Sequence, residues 1–208
     1  MKKLFLASIA FVVLDKVRPL LSDDPHKLKL AFIPTASNPS KDKSWLLKDR
    51  DKLVAMGFTV TDVDVEGKTE GELRKVLADS DVLFVAGGNT FYLLEKTRAS
   101  GFDKVAKEFI DKGKVYIGSS AGAALVCPTI AFVEGLDDPK AAPALTSYEG
   151  LHEVPFLVMP HYGDEDYKEV YETVLEKWKD RGYELKLLTN TEALIVEGDS
   201  TRLVTGEE

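Results

Sequence analysis

Lys114-Val115-Tyr116-Ile117-Gly118-Ser119-Ser120-Ala121-Gly122-Ala123-Ala124 is the stretch on which the fold turns. Val115 to Ile117 run without polar alternation into Gly-x-Ser-x-Gly, and small helix-forming residues follow. An apolar run of this kind suits a strand buried on both faces, as in a parallel sheet covered by helices. The spacing predicts strand, tight turn and helix with Ser120 at the turn, the context a nucleophile elbow requires. Gly118 and Gly122 leave room for a strained backbone and a close strand-helix approach, so the Ser120 hydroxyl projects above the sheet edge. The Ala121 N–H, at the helix N-terminus, then faces a developing oxyanion. A small-residue turn that only packs a helix on a sheet would carry the same letters. The strand before it and the helix after it favour the chemical function.

Working outward, apolar runs recur at Leu28 to Ile33, Thr59 to Val65, Val82 to Ala86 and Phe156 to Met159. Segments of helical spacing separate them: Trp45 to Met56, Glu70 to Ala78, Phe91 to Thr97, Phe102 to Lys112, and after the last run Asp164 to Lys179. Alternation of strand and helix predicts an α/β fold, a doubly wound and mostly parallel sheet with helices on both faces. Ala193 to Glu197 and Thr201 to Val204 flank Gly198-Asp199-Ser200, which predicts a C-terminal antiparallel hairpin at the sheet margin. Residues 1–208 are expected to form one hydrolytic α/β domain. The longest non-periodic segment, Glu134 to Gly150, contains two prolines and the pair Asp137-Asp138, and a loop of that length in a compact domain is usually functional.

Composition narrows the partners. With 27 Lys and Arg against 35 Asp and Glu, the net charge of −8 argues against a nucleic-acid binder. One cysteine, Cys127, allows no internal disulfide and, with three histidines, no Cys/His zinc cluster, which fits a reducing cytoplasm. Met1-Lys2-Lys3 and the apolar run Leu4 to Leu14 imitate a secretory signal, but the chain passes straight into Asp15-Lys16-Val17-Arg18 with no small-x-small cleavage site. That run is also too short to span a bilayer, so no membrane association is expected. It is read as a buried first strand, Lys3 to Ser8, turning into a helix.

A serine nucleophile needs a base, and the histidines are His26, His152 and His161. His26 and His152 sit in polar, carboxylate-rich surroundings that suit solvated loops. His161 follows Phe156-Leu157-Val158-Met159-Pro160 and so stands at the carboxyl end of a strand, where open α/β sheets place their ligands. A second glycine turn, Val85-Ala86-Gly87-Gly88-Asn89-Thr90, ends a strand and starts a helix, with Asn89 or Thr90 as N-cap. Its Gly88 N–H can join that of Ala121 as an oxyanion donor, and Asn89 is grouped with them as a substrate-binding residue. Neither glycine turn has the spacing of a nucleotide phosphate loop.

These residues resemble the peptidase E (dipeptidase E, α-aspartyl dipeptidase) family of serine peptidases. The resemblance rests on Gly87-Gly88-Asn89-Thr90-Phe91 with Leu93-Leu94, Tyr116 to Ala123, Cys127-Pro128-Thr129-Ile130, Pro160-His161-Tyr162, and the early Ala31 to Ser37. It implies a fold like that of class I glutamine amidotransferases, with Ser120 as nucleophile and His161 as base. It also implies hydrolysis of short peptides from the N-terminal side, without metal or cofactor. N-terminal Asp-Xaa dipeptides are candidate substrates, and the sequence leaves the oligomeric state open between monomer and homodimer. Two points lie outside what it carries. The acid orienting His161 is expected to be Glu192, held on a strand end, with Asp137 and Asp138 as alternatives. The segment Gly163 to Glu169 is acidic and holds no arginine that would select an aspartyl substrate, and it could instead receive a free α-amino group. A non-catalytic binding protein on the same scaffold and a cyanophycinase-like hydrolase are the competing functions.

Overall fold

The computed structural model describes residues 1–206. Strand β1 (Lys3–Ala7) leads into a one-turn helix α1 (Ala10–Val13) and a 3-10 segment, Leu14–Leu20. There follow β2 (Lys29–Ile33), α2 (Ser44–Ala55), β3 (Thr59–Asp62), α3 (Glu70–Leu77), β4 (Val82–Val85), α4 (Thr90–Ser100), α5 (Phe102–Asp111) and β5 (Val115–Ser119). The second half holds α6 (Ala121–Leu125), β6 (Leu157–Met159), α7 (Lys168–Trp178), β7 (Leu185–Leu187), β8 (Glu192–Glu197) and β9 (Ser200–Thr205).

Seven strands make one sheet in the order β3-β2-β4-β5-β1-β8-β9. The first five in that order are mutually parallel, whereas β8 runs antiparallel to β1 and β9 antiparallel to β8. Successive side chains on a strand point to opposite faces, and β1 shows the result. Leu4 and Leu6 belong to the core shared with α3 to α7, Phe5 and Ala7 to the core shared with α1 and α2. Helices thus cover both faces, as the alternating sequence pattern predicts. No helix among the described residues is long and apolar enough to cross a membrane.

The run Phe156 to Met159 departs from the expected sheet. It forms β6, which pairs in parallel with β7 as a separate two-stranded sheet. In the large sheet β5 lies between β4 and β1, and β1 is closed on its far side by β8, so β6 has no inner edge to join. Leu157, Val158 and Met159 are instead fully buried in the core over one face of the large sheet. The region expected as one helix from Asp164 begins as a 3-10 turn, Glu165–Tyr167, and becomes α-helical at Lys168.

Candidate active site

Register brings the ends of β1, β5 and β8 to one edge. Ala7 of β1 stands beside Ser119 of β5 and Ala193 of β8, so Ser8, Ser120 and the segment before β8 leave the sheet together. The small pair of strands adds the rest. Met159 and Leu187 are partners across β6 and β7, and each strand runs out in the same direction, one toward His161 and the other toward Asn190.

Ser120 adopts φ 49° and ψ −106°, a conformation most L residues avoid. Its amide donates to the Ala7 carbonyl at 2.9 Å, while its own carbonyl accepts from Ala123 and Ala124 and starts α6. Such an elbow needs backbones in contact. A Cβ at Gly122 would overlap the Val85 carbonyl, and one at Gly118 would overlap the carbonyl of Gly122. The Tyr116 hydroxyl donates to the Gly122 carbonyl from within the core, bracing the turn from below.

The Ser120 Oγ lies 2.9 Å from His161 Nε2. His161 Nδ1 lies 2.8 Å from Asn190 Oδ1, and the Asn190 Nδ2 donates to Asp164 Oδ2 at 3.1 Å. The direction of this chain follows from its far end. The Asp164 carboxyl oxygen accepts from the amide nitrogen of Asn190, which leaves Oδ1, only an acceptor, toward the imidazole. Nδ1 must then carry the proton, and Nε2 presents a lone pair to the serine. Ser8, fully buried, fixes the ring from another side: its Oγ accepts from the His161 amide at 2.7 Å and donates to Asn190 Oδ1 at 3.3 Å.

None of the carboxylates expected as the acid hydrogen-bonds His161. The Glu192 carboxylate accepts from the Thr189 amide at 2.8 Å and braces the loop that carries Asn190. It makes no hydrogen bond to His161, because Asn190 occupies Nδ1. Asp137 accepts from the Thr90 amide at 2.8 Å, and burial pushes its carboxyl above the usual range against the pull of that bond and of nearby His161. Asp138 caps the short 3-10 turn at Pro139–Ala141. Asn89 caps α4 by accepting from Tyr92, and its amide donates to the Asp138 carbonyl. The irregular segment Glu134 to Gly150 is thereby stitched to the glycine turn. His26 and His152 are exposed and away from Ser120.

The sequence pattern does not single out Asn190, because a carboxylate is the usual partner of a catalytic imidazole. An amide oxygen can hold a histidine tautomer as well, and its place three residues beyond β7 was the available signal. The amides of Gly88 and Ala121 reach no acceptor among the described residues. Gly88 has φ +133°, and a Cβ there would overlap the Ala36 carbonyl, so only glycine can place this amide. Ser120, His161, Gly87, Gly88 and Asn89 line a cavity of about 610 Å³, walled also by Trp45, Lys48 and Tyr167, a volume usual for a small-molecule site. Among the described residues no group of three or more His, Cys, Asp or Glu is arranged to hold a metal ion.

The model of peptidase family S51 matches residues 9–204. The chain belongs to that family. An uncharacterized peptidase of Listeria monocytogenes is 33% identical over 201 residues, covering 95% of this chain and 96% of the relative. Peptidase E of Citrobacter koseri is 30% identical over 152 residues, 72% of this chain and 62% of that protein. Among solved structures, a Listeria monocytogenes protein described as a candidate peptidase E superposes with a TM-score of 0.92 at 32% identity, each chain covered in full. A peptidase from an acI-B1 Actinobacterium shares the fold, with a TM-score of 0.74 at 16% identity over 99% of this chain and 88% of that one. Family membership places the chain among the peptidases.

Proposed function

We propose that this chain is a serine peptidase that hydrolyses short peptides, with Ser120 as nucleophile, His161 as base and Asn190 as the group that orients His161. The observation that carries the proposal is the 2.9 Å approach of Ser120 Oγ to an imidazole nitrogen whose opposite nitrogen is already held by an acceptor. His161 takes the hydroxyl proton as Oγ attacks the peptide carbonyl, and the same nitrogen returns it to the leaving amine. The charge on the tetrahedral oxygen falls to the Gly88 and Ala121 amides, each such donor contributing about 3 kcal/mol to the barrier reduction. Water then attacks the acyl-enzyme by the reverse path. An imidazolium formed during the reaction is stabilised by the Asn190 carbonyl dipole, itself polarised by Asp164.

A cavity of this volume suits dipeptides and other short peptides, and the tethered segment Glu134 to Gly150 bounds it on the side of the Gly88 turn. The buried free thiol Cys127 suits a reducing cytoplasm. Ser120→Ala should abolish turnover of a panel of dipeptides and prevent labelling by a fluorophosphonate, with the circular dichroism spectrum retained. Turnover equal to that of the unaltered chain rejects the assignment.

A further inference from the structure

The cavity is not electrically uniform. Helix α2 presents Trp45, Lys48 and Asp49 to it, residues at i, i+3 and i+4 and so on one helical face. Asp49 is sealed in the wall, 2% exposed, with its carboxylate accepting from the Phe11 amide at 2.8 Å. Lys48 is exposed to the cavity mouth, and its Nζ rests 5.3 Å from the centroid of the Phe11 ring. Phe11 lines the same cavity.

Lys48 is the one lysine or arginine among the described residues lining this cavity, and its Nζ makes no ion pair there. Asp137 and Asp138 also line the cavity. Asp137 lines the cavity with His161 and Tyr167, and the Tyr167 ring lies 5.8 Å from the imidazole. Helix α2 instead approaches from the Gly87 side: a Cβ on Gly87 would lie 3.2 Å from Ser120 Cβ and 3.7 Å from the Trp45 ring. Ser120 therefore stands between Asp137 and Asp138 on one side and helix α2 on the other, which offers one ammonium, that of Lys48, beside the sealed Asp49 and near the exposed Asp42.

We infer that Lys48 is a specificity-determining residue, gripping a carboxylate of the peptide substrate on the α2 side of Ser120. This rests on the peptidase function proposed above. A short peptide offers two such groups, its C-terminal carboxylate and an acidic side chain on the residue that acylates Ser120. Either would replace the weak contact with Phe11 by a charge-assisted hydrogen bond, and peptide filling the cavity would lower the local dielectric and strengthen the pair. The acidic side near His161 would repel the same group and favour the α-ammonium.

The test uses four substrates, Asp-Ala, Asp-Ala-amide, Ala-Ala and Ala-Ala-amide, with the full chain and with Lys48→Gln and Lys48→Arg, folding being checked by thermal melts. The ratio of kcat/KM between a carboxylate-bearing peptide and its neutral counterpart should fall about five- to tenfold in Lys48→Gln, as expected for a partly exposed charge pair, and be largely kept in Lys48→Arg. A fall in the acid-to-amide ratio identifies the C-terminal carboxylate, and a fall in the Asp-to-Ala ratio identifies the side chain. Ratios that Lys48→Gln leaves unchanged in both comparisons overturn the inference. Calorimetric binding of the same peptides to Ser120→Ala, with and without Lys48→Gln, separates the two claims. Lys48-dependent binding without turnover by the unaltered chain would sink the peptidase function alone, and turnover without Lys48-dependent preference would sink the Lys48 role alone.

Discussion

Asp164 accepts a hydrogen bond from the Asn190 side-chain amide at 3.1 Å, although neither residue touches Ser120. That contact, with the Ser8 hydroxyl donating to Oδ1, sets which end of the amide faces His161 and hence which imidazole nitrogen holds the proton. Asn190→Ala should lower kcat by about 100-fold, the lower range of what a general base contributes. Asp164→Ala should lower it by about tenfold, one hydrogen bond to a charged group being worth roughly 1.5 kcal/mol. Glu192→Gln keeps an acceptor for Thr189 and should stay within about twofold of the unaltered chain. Steady-state kinetics on the three variants checks the ranking, and a larger loss from Glu192→Gln than from Asn190→Ala would return the orienting role to the carboxylate.

The backbone of Ser120 stores strain that only a side-chain-free residue avoids. Ser120→Gly should be more stable than Ser120→Ala by about 1–3 kcal/mol, since both lose the hydroxyl and only glycine relaxes at φ 49°. Thermal or denaturant melts of the two inactive variants measure the difference directly, and equal stabilities would mean that the turn is not strained.

Gly88 offers a sharper test of the proposed oxyanion site. Gly88→Ala drives a methyl group into the Ala36 carbonyl, so the turn must shift and its amide with it. The expected loss in kcat is about 100- to 1000-fold, as for removal of one oxyanion donor. Calorimetric affinity for a dipeptide, measured on the Ser120→Ala background, should change far less than kcat if the amide acts on the transition state.

Asp49 makes stability depend on pH. Burial pushes its carboxyl up to about 7, against the opposing pull of the Phe11 amide and the Ser119 hydroxyl. An unfolded aspartate titrates near 3.9. Between those values the folded chain holds a proton that the unfolded chain has released, so this group's contribution to stability falls as pH rises from about 4 to 7 and is flat above. Asp49→Asn cannot ionise. Its melting temperature relative to the unaltered chain should therefore rise between pH 4.5 and pH 8, by an amount equivalent to at most about 4 kcal/mol. A pH-independent difference would show that the carboxylate is neutralised some other way.

How much of this was legible in the sequence depends on how far apart the partners lie. The elbow from Val115 to Ala124 was readable because strand, turn and helix are consecutive and glycines mark its close backbone approaches. The hairpin β8-β9 was readable for the same reason. The placement of β6 was not, because Leu157 to Met159 are apolar in either sheet and only the closure of β1 by β8 decides between them. Its partner β7, Leu185-Lys186-Leu187, is too short for its alternation to stand out. His161 could be found from its place after a strand, but Asn190 joins it through strand pairing that residue types alone do not reveal. Ser8 lies 153 residues before His161, and Asp164, although only three residues beyond it, belongs to an acidic run in which nothing singles it out.

The pairing of β1 with β8 sets Leu4 beside Val196, and it has a consequence for how the site holds together. Ser8 leaves one of these strands and the Asn190 loop leads into the other, so the two side chains that flank His161 are brought to it by the same long-range seam. A local opening of that seam would release the imidazole while the elbow around Ser120 stays folded.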